Sequence, residues 1–293
     1  MEKKQLKSDI TGTRLDIYLQ QHFAVSRVLI KKWITKQYIS VNNIIITKPS
    51  YLLSKNDIIT CHIKEENQTK NIQPSSLSLD YIYEDKDLII INKTAGLLVH
   101  KGTNKDEKTL VEYLKETQVN LYDYGDPERM GIVHRLDRQT EGLLVIAKSK
   151  LAYESLSQQF RNRTIKKRYY ALLKGNLNHD IEVNQPIARH PKHRYKYCVD
   201  PNGKKALTRF SIKKTYNSMT LCDIELVSGR THQIRVHAHY LGYPIIGDEV
   251  YSKTTRQSGQ LLQAYQLSLI HPRLNTQLTI KLNISKRILE SHA

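Results

Sequence analysis

Gly131-Ile132-Val133-His134-Arg135-Leu136-Asp137-Arg138-Gln139-Thr140-Glu141-Gly142, followed by the apolar run Leu143 to Ala147, is the stretch on which the reading of this chain turns. The run has the character of a strand. Ahead of it a single carboxylate, Asp137, stands among His134, Arg135 and Arg138. Nearby positive charge favours the ionised carboxylate over its neutral form. These residues alone leave two readings open. Asp137 is either an anionic nucleophile in a nucleic-acid site or half of an ion pair at a surface turn, because structural pairs perturb titration too.

Working outward, several further segments have strand character: Leu79 to Tyr83, Leu88 to Asn92, Arg168 to Leu173, Ala206 to Ile212, Ser218 to Leu226, Leu261 to Ile270 and Gln277 to Ile284. Thr109 to Glu116 and Leu151 to Asn162 read as helices. In the second, Ala152, Leu156 and Phe160 recur at a spacing of four. Many strands with few helices predict an α+β domain on a largely antiparallel mixed sheet. Nearer the N-terminus, Arg14, Leu15, Tyr18 and Leu19 have helical spacing. Ser26 is placed to cap a second helix through Val28, Leu29, Lys32 and Trp33. Short strands follow at Tyr38 to Asn43 and Asp57 to Ile63. A polar stretch without period then predicts a linker over 67–76, between a small α/β domain at 12–66 and a large one at 77–290. A length of 293 residues fits two domains.

The net charge of +18 comes from 46 Lys and Arg against 28 Asp and Glu. Such a field favours a polyanionic partner. The charge is clustered. Residues 161–174 hold six basic residues and no acid, and residues 189–214 hold nine basic residues and one acid, with Tyr195, Tyr197 and Phe210 interleaved. Cations alternating with aromatics suit phosphate contact and base stacking. Arg14, Arg27, Lys31, Lys32 and Lys36 give the helical half of the small domain a basic face. No window has the ~18 apolar residues of a membrane span, and the first residues lack the apolar core of a secretory signal. Three widely spaced cysteines, Cys61, Cys198 and Cys222, read as reduced thiols of a cytoplasmic protein. A monomer is expected.

Three stretches together resemble the pseudouridine synthases of the RluA type. They are His134-Arg135-Leu136-Asp137 with Thr140-x-Gly142 and Ala147-Lys148-Ser149; Phe160 to Gly175 with Lys167-x-Tyr169 and Ala171-Leu172; and Gly229 to His237 with Leu241 to Asp248 and Tyr251. Asp80 to His100 matches the entry to that domain. Residues 12–63 resemble the S-four-type RNA-binding domain that often precedes it. Gly131-Ile132-Val133 and Pro186 to Pro191, followed by Gly203-Lys204-Lys205-Ala206, are similar to the RluD branch, which modifies large-subunit ribosomal RNA. Departures stand at Thr94, where the family usually has Pro, at Glu141, where it usually has Ser, and at Gln37, Asn43 and Asn56, often Gly. Asn tolerates a left-handed backbone.

The resemblance implies an isomerase of RNA uridines that uses no metal or organic cofactor. It makes Asp137 the nucleophile or base and Arg235 its guanidinium partner, able to hold a carboxylate bidentately. It also makes Tyr169 the ring that stacks on the target base. Arg135, Arg138 and Arg230 are expected on the RNA, with Arg135 entering where the uridine leaves the stack. His232, His237 and His239 lack the i, i+3 or i+4 spacing of a helical metal pair. Two other readings remain: a sibling synthase acting on transfer or small-subunit RNA, and a non-catalytic RNA-binding assembly factor.

Overall fold

Residues ahead of 64 build one small unit. Its elements are β1 (Glu2–Lys7), α1 (Leu15–His22), α2 (Arg27–Thr35), β2 (Ile39–Val41), β3 (Ile44–Ile45) and β4 (Ile58–Ile63). The computed structural model describes residues 2–23, 27–63, 79–101, 107–117, 119, 121–123, 129–252 and 259–292. The expected cap Ser26 and the linker over 67–76 lie outside these residues, as do the side chains of Arg27 and Lys32. The strands pair antiparallel in the order β1-β4-β2-β3. Leu15, Tyr18 and Leu19 of α1 join Ile30, Trp33 and Ile34 of α2 against Ile39, Val41, Ile59 and Cys61. Apolar residues at helical spacing thus meet one face of the sheet.

β1 was absent from the sequence expectation. Its residues, Glu-Lys-Lys-Gln-Leu-Lys, carry no apolar alternation, and the backbone ladder to β4, with Leu6 on the core and Gln5 Nε2 donating to Thr60 Oγ1, makes them a strand. The small unit therefore starts ahead of residue 12. Gln37, at φ 62°, answers the question its side chain raised. Tyr38 N–H donates to Trp33 O and Gln37 N–H to Ile34 O. This is a Schellman closure of α2 with a glutamine in the left-handed position.

The second unit comprises β5 (Asp80–Glu84), β6 (Leu88–Lys93), α3 (Leu110–Glu116), β7 (Glu141–Ala147), α4 (Lys150–Asn162), β8 (Lys166–Lys174), β9 (Ile181–Asn184), β10 (Ile187–Arg189), β11 (Tyr197–Val199), β12 (Leu207–Tyr216), β13 (Met219–Leu226), α5 (Gln233–Tyr240), β14 (Leu262–Ile270), β15 (Gln277–Lys281) and α6 (Lys286–Leu289). A nine-stranded sheet runs β5-β6-β7-β14-β8-β13-β12-β9, with β15 also on β14. Every pairing is antiparallel except β7 with β14. Predicted and observed strands agree closely in the long segments. The short β9, β10 and β11 went unread. α4 starts at Ser149, whose Oγ accepts from Ala152 N–H, and packs Ala152 and Leu156 on Leu88, Ile90, Leu143 and Val145.

The parallel β7–β14 seam is where the Asp137 loop enters the sheet, and it explains two motif residues. Gly142 has φ 110° and lies opposite Ala264. A Cβ there would sit 2.3 Å from Ala264 O and 2.7 Å from Ala264 N. Both the close approach and the backbone angle therefore require glycine. Glu141, which departs from the family pattern, accepts from Ser285 Oγ at 2.7 Å and pairs with Arg287 Nη1 at 3.5 Å. It fastens α6 to the start of β7 and has no place in the cleft. Gly142→Ala should lower unfolding free energy by roughly 2–4 kcal/mol, since it combines a strained angle with a backbone clash. Urea denaturation checks this, and a wild-type midpoint would show that β14 yields freely.

Candidate active site

Asp137 sits on a loop pinned from three sides. Val145 N–H donates to His134 Nε2 at 3.0 Å, so that ring nitrogen is an acceptor and the imidazole is neutral. Burial pushes the His134 pKa down to about 3, with Lys167 adding to the shift. Its ring stacks on Phe160 at 4.5 Å. On the other side Lys93 is buried, and its Nζ donates to three backbone carbonyls: Thr94 at 2.8 Å, Leu97 at 3.0 Å and Arg138 at 3.0 Å. Burial pushes its pKa down to about 7, against the pull of the Asp137 and Glu141 carboxylates. Within the loop, Thr140 N–H donates to Asp137 O at 3.0 Å. The histidine beside Asp137 therefore holds the loop and does not supply charge.

Arg235 projects from the first turn of α5. It is 5% exposed. Its Nε and Nη2 donate to the two oxygens of Asp248 at 2.7 and 2.8 Å, and its Nη1 donates to Asp137 Oδ2 at 2.9 Å. The bidentate hold expected on Asp137 therefore falls on Asp248, which is fully buried, and Asp137 receives the third nitrogen. Desolvation opposes the Arg235 charge, but Asp248 and then Asp137 more than offset it and raise the pKa. A planar fork can serve two carboxylates in this way, whereas an ammonium has no such geometry.

Tyr169 comes from β8, between Ile224 of β13 and Ala264 of β14. Burial raises its pKa, and the Asp137 charge raises it further, so the phenol stays protonated at neutral pH. Asp137, Tyr169 and Arg235 all line one cleft of about 490 Å³. Its walls also carry Arg135, Arg161, Arg163, Lys167 and Arg230. Desolvation, helped by Arg163, brings Lys167 down to about 8.

The other expected RNA contacts are placed variously. Exposed Arg135 lies 3.5 Å from His100 Nε2 at the cleft, and Arg230 Nε donates to Lys205 O. Arg138 is paired with Glu107 at 3.2 Å, donates to Gly96 O, and does not line the cleft. Arg14 precedes α1 and holds buried Asp16 through two nitrogens at 3.0 and 3.2 Å. Lys31 is exposed on α2. The three histidines point apart: His232 lies beside Asp137, His237 is buried between Thr208 Oγ1 and Gln185 O, and His239 lies on a separate hollow with His190 and Lys196. Among the described residues no three His, Cys, Asp or Glu side chains group to hold a metal, and no helix is long and apolar enough to cross a membrane.

Sequence reasoning missed Asp248, Lys93 and His232 as parts of this arrangement. Asp248 stood within a quoted motif, but an acid far along the chain from Asp137 gives no local signal of sharing its arginine. A buried lysine ending an apolar strand, as Lys93 does after Leu88 to Ile91, is a usable signal, because an uncompensated ammonium is costly to bury.

A family model described as RNA pseudouridylate synthase matches residues 87–240, and one described as S4 domain matches residues 13–59. An uncharacterized RNA pseudouridine synthase of Aquifex aeolicus is 36% identical, over 92% of this chain and 90% of its own. Ribosomal large subunit pseudouridine synthase D of Nitrosomonas europaea is 38% identical, over 90% and 79%. Its Escherichia coli K12 counterpart is 35% identical, over 89% and 84%. Among solved structures, human RNA pseudouridylate synthase domain containing 1 shares the fold, with a TM-score of 0.60 at 24% identity over 72% of this chain and 86% of its own.

The two carboxylates on Arg235 should differ in what they hold up. Asp248→Ala strands a buried guanidinium and should cost about 3–5 kcal/mol of stability. Asp137→Ala leaves the Asp248 fork in place and should cost less than about 1 kcal/mol. Equal losses in chemical denaturation would contradict the assignment of Asp248 as the anchor.

Proposed function

We propose that this chain, which belongs to the RluA/RluD type of the RNA pseudouridylate synthase family, isomerises uridines of large-subunit ribosomal RNA through the carboxylate of Asp137. It is a pseudouridine synthase, an isomerase. The observation that carries the reading is the Asp137–Arg235 contact at 2.9 Å inside a cleft walled by cations. Relatives named for the large ribosomal subunit support the ribosomal target.

In the reaction C1′–N1 breaks, the base turns, C1′–C5 forms, a proton leaves C5 and one joins N1. No electrons are gained or lost overall. Asp137 serves as nucleophile or base, its Oδ2 held by a guanidinium that Asp248 fixes on its other side. Tyr169, a protonated phenol at neutral pH, offers a ring to stack on the extruded base. Arg135, Arg161, Arg163, Lys167 and Arg230 take the phosphates around the cleft. Extruding a nucleotide costs a few kcal/mol, which these contacts offset. The small domain, which includes β1 and runs to residue 66, adds affinity through Arg14, Arg27, Lys31 and Lys32 ahead of the catalytic domain over 77–290.

Pseudouridine mapping of total RNA from cells lacking this chain tests the reading. Sites in large-subunit RNA should disappear, return with the wild-type chain, and stay absent with Asp137→Ala. Loss confined to transfer or small-subunit RNA would overturn the target. Modification restored by Asp137→Ala would overturn the chemistry and favour a non-catalytic binding role. Binding of this RNA should weaken by at least ~10-fold between 50 and 200 mM salt, since each neutralised phosphate releases counterions. A flat profile in filter binding would contradict the basic cleft.

A further inference from the structure

His232 is the residue of this cleft that the reading above leaves unused. It precedes α5 with φ 57°, in the left-handed region. A histidine held there is strained, and the strain persists only when surrounding contacts fix it. Those contacts are on the ring. His232 Nδ1 is 3.0 Å from Tyr251 Oη, and Tyr197 N–H donates to that same oxygen at 2.8 Å. The Tyr251 hydroxyl accepts from Tyr197 and keeps a proton it can donate to Nδ1; in that tautomer the imidazole proton is on Nε2. The Tyr197 and Tyr251 rings meet the imidazole edge-on at 5.5 and 5.7 Å and set its plane. Nε2 then faces Asp137 Oδ2 at 3.8 Å. Desolvation holds the His232 pKa below its ordinary value despite the Asp137 charge, so the ring is neutral near pH 7.

Asp137 Oδ2 already accepts from Arg235 Nη1 at 2.9 Å. The Tyr251 ring supports that donor as well, lying 5.2 Å from the guanidinium carbon. One tyrosine thus orients both groups that approach the same carboxylate oxygen.

We propose that His232 is a positioning residue whose Nε2–H closes on Asp137 Oδ2 when RNA binds, so that Oδ2 is held by two donors and Oδ1 is the oxygen presented to the uridine. Contacts of this kind are commonly long in the free enzyme and tighten in the complex. Holding a reacting atom to within an ångström is worth up to about 100-fold in rate. The proposal rests on Asp137 being the reacting carboxylate.

The test is single-turnover pseudouridine formation, with separate RNA affinity measurements, on ribosomal RNA from cells lacking the chain. His232→Phe should slow the rate at saturating RNA by roughly 10- to 100-fold and leave the RNA Kd within about twofold. His232→Gln, whose side-chain amide can reach the Nε2 position, should recover most of that loss. Tyr251→Phe, which keeps the ring under Arg235 and removes the hydroxyl, should slow wild type and add nothing to His232→Phe. A wild-type rate for His232→Phe would overturn the proposal. So would a raised Kd with an unchanged saturated rate, which marks an RNA contact, or a glutamine variant as slow as phenylalanine, which marks packing alone. If His232→Phe does not fold, Tyr251→Phe decides by the same two readouts. An inactive wild-type chain would instead defeat the underlying reading, so the two failures are distinct.

Discussion

A guanidinium placed 5% exposed, with a carboxylate on each side, is the constraint around which this site is built. Burying Arg235 unpaired would be prohibitive. Asp248 removes that cost with two hydrogen bonds, and it is itself fixed by the backbone N–H groups of Val250 and Tyr251, which donate to its Oδ1 at 3.0 and 3.2 Å. The third guanidinium nitrogen is then free to face the cleft. Asp137 is therefore aligned by a donor that the protein has already immobilised. Preorganisation of this kind costs little at the moment of reaction.

The carboxylate needs equal discipline from its own side. Its loop is clamped by His134 beneath Val145 N–H, by Lys93 among three carbonyls, and by Gly142 pressed on β14. None of these side chains touches Asp137 within hydrogen-bond distance, yet each fixes the backbone that carries it. The sheet order explains why the parts meet. β7, β14 and β8 are adjacent, so the loop before β7 and the ring of Tyr169 on β8 open into one cleft, and α5 brings Arg235 to it.

Much of this was legible beforehand, and the remainder has physical reasons. Long apolar segments such as Leu88 to Asn92 and Leu143 to Ala147 declare themselves by composition, because a buried strand must be apolar on both faces. β1 does not, since its mostly polar residues show no apolar alternation and are held chiefly by the backbone ladder to β4. β9 to β11 are too short for a pattern to show. Asp137, Tyr169 and Arg235 were found through motif resemblance, and the local charges around Asp137 were partly misleading. His134 is neutral in a stack, and Arg138 turns to Glu107 and Gly96. Asp248 and Glu141 show the limit most clearly. Each acid takes its meaning from a partner brought by the fold, Arg235 for one and the Ser285–Arg287 segment for the other.

The central claim is that the shape of Arg235, beyond its charge, aligns Asp137. Arg235→Lys keeps the charge and removes the fork. Its single-turnover rate of pseudouridine formation at saturating RNA decides the matter most directly. The account predicts a loss of at least ~100-fold with RNA affinity nearly unchanged, because a lysine cannot hold Asp248 bidentately and reach Asp137 together. A lysine variant that works at close to the wild-type rate would show that any buried cation suffices and would contradict the account.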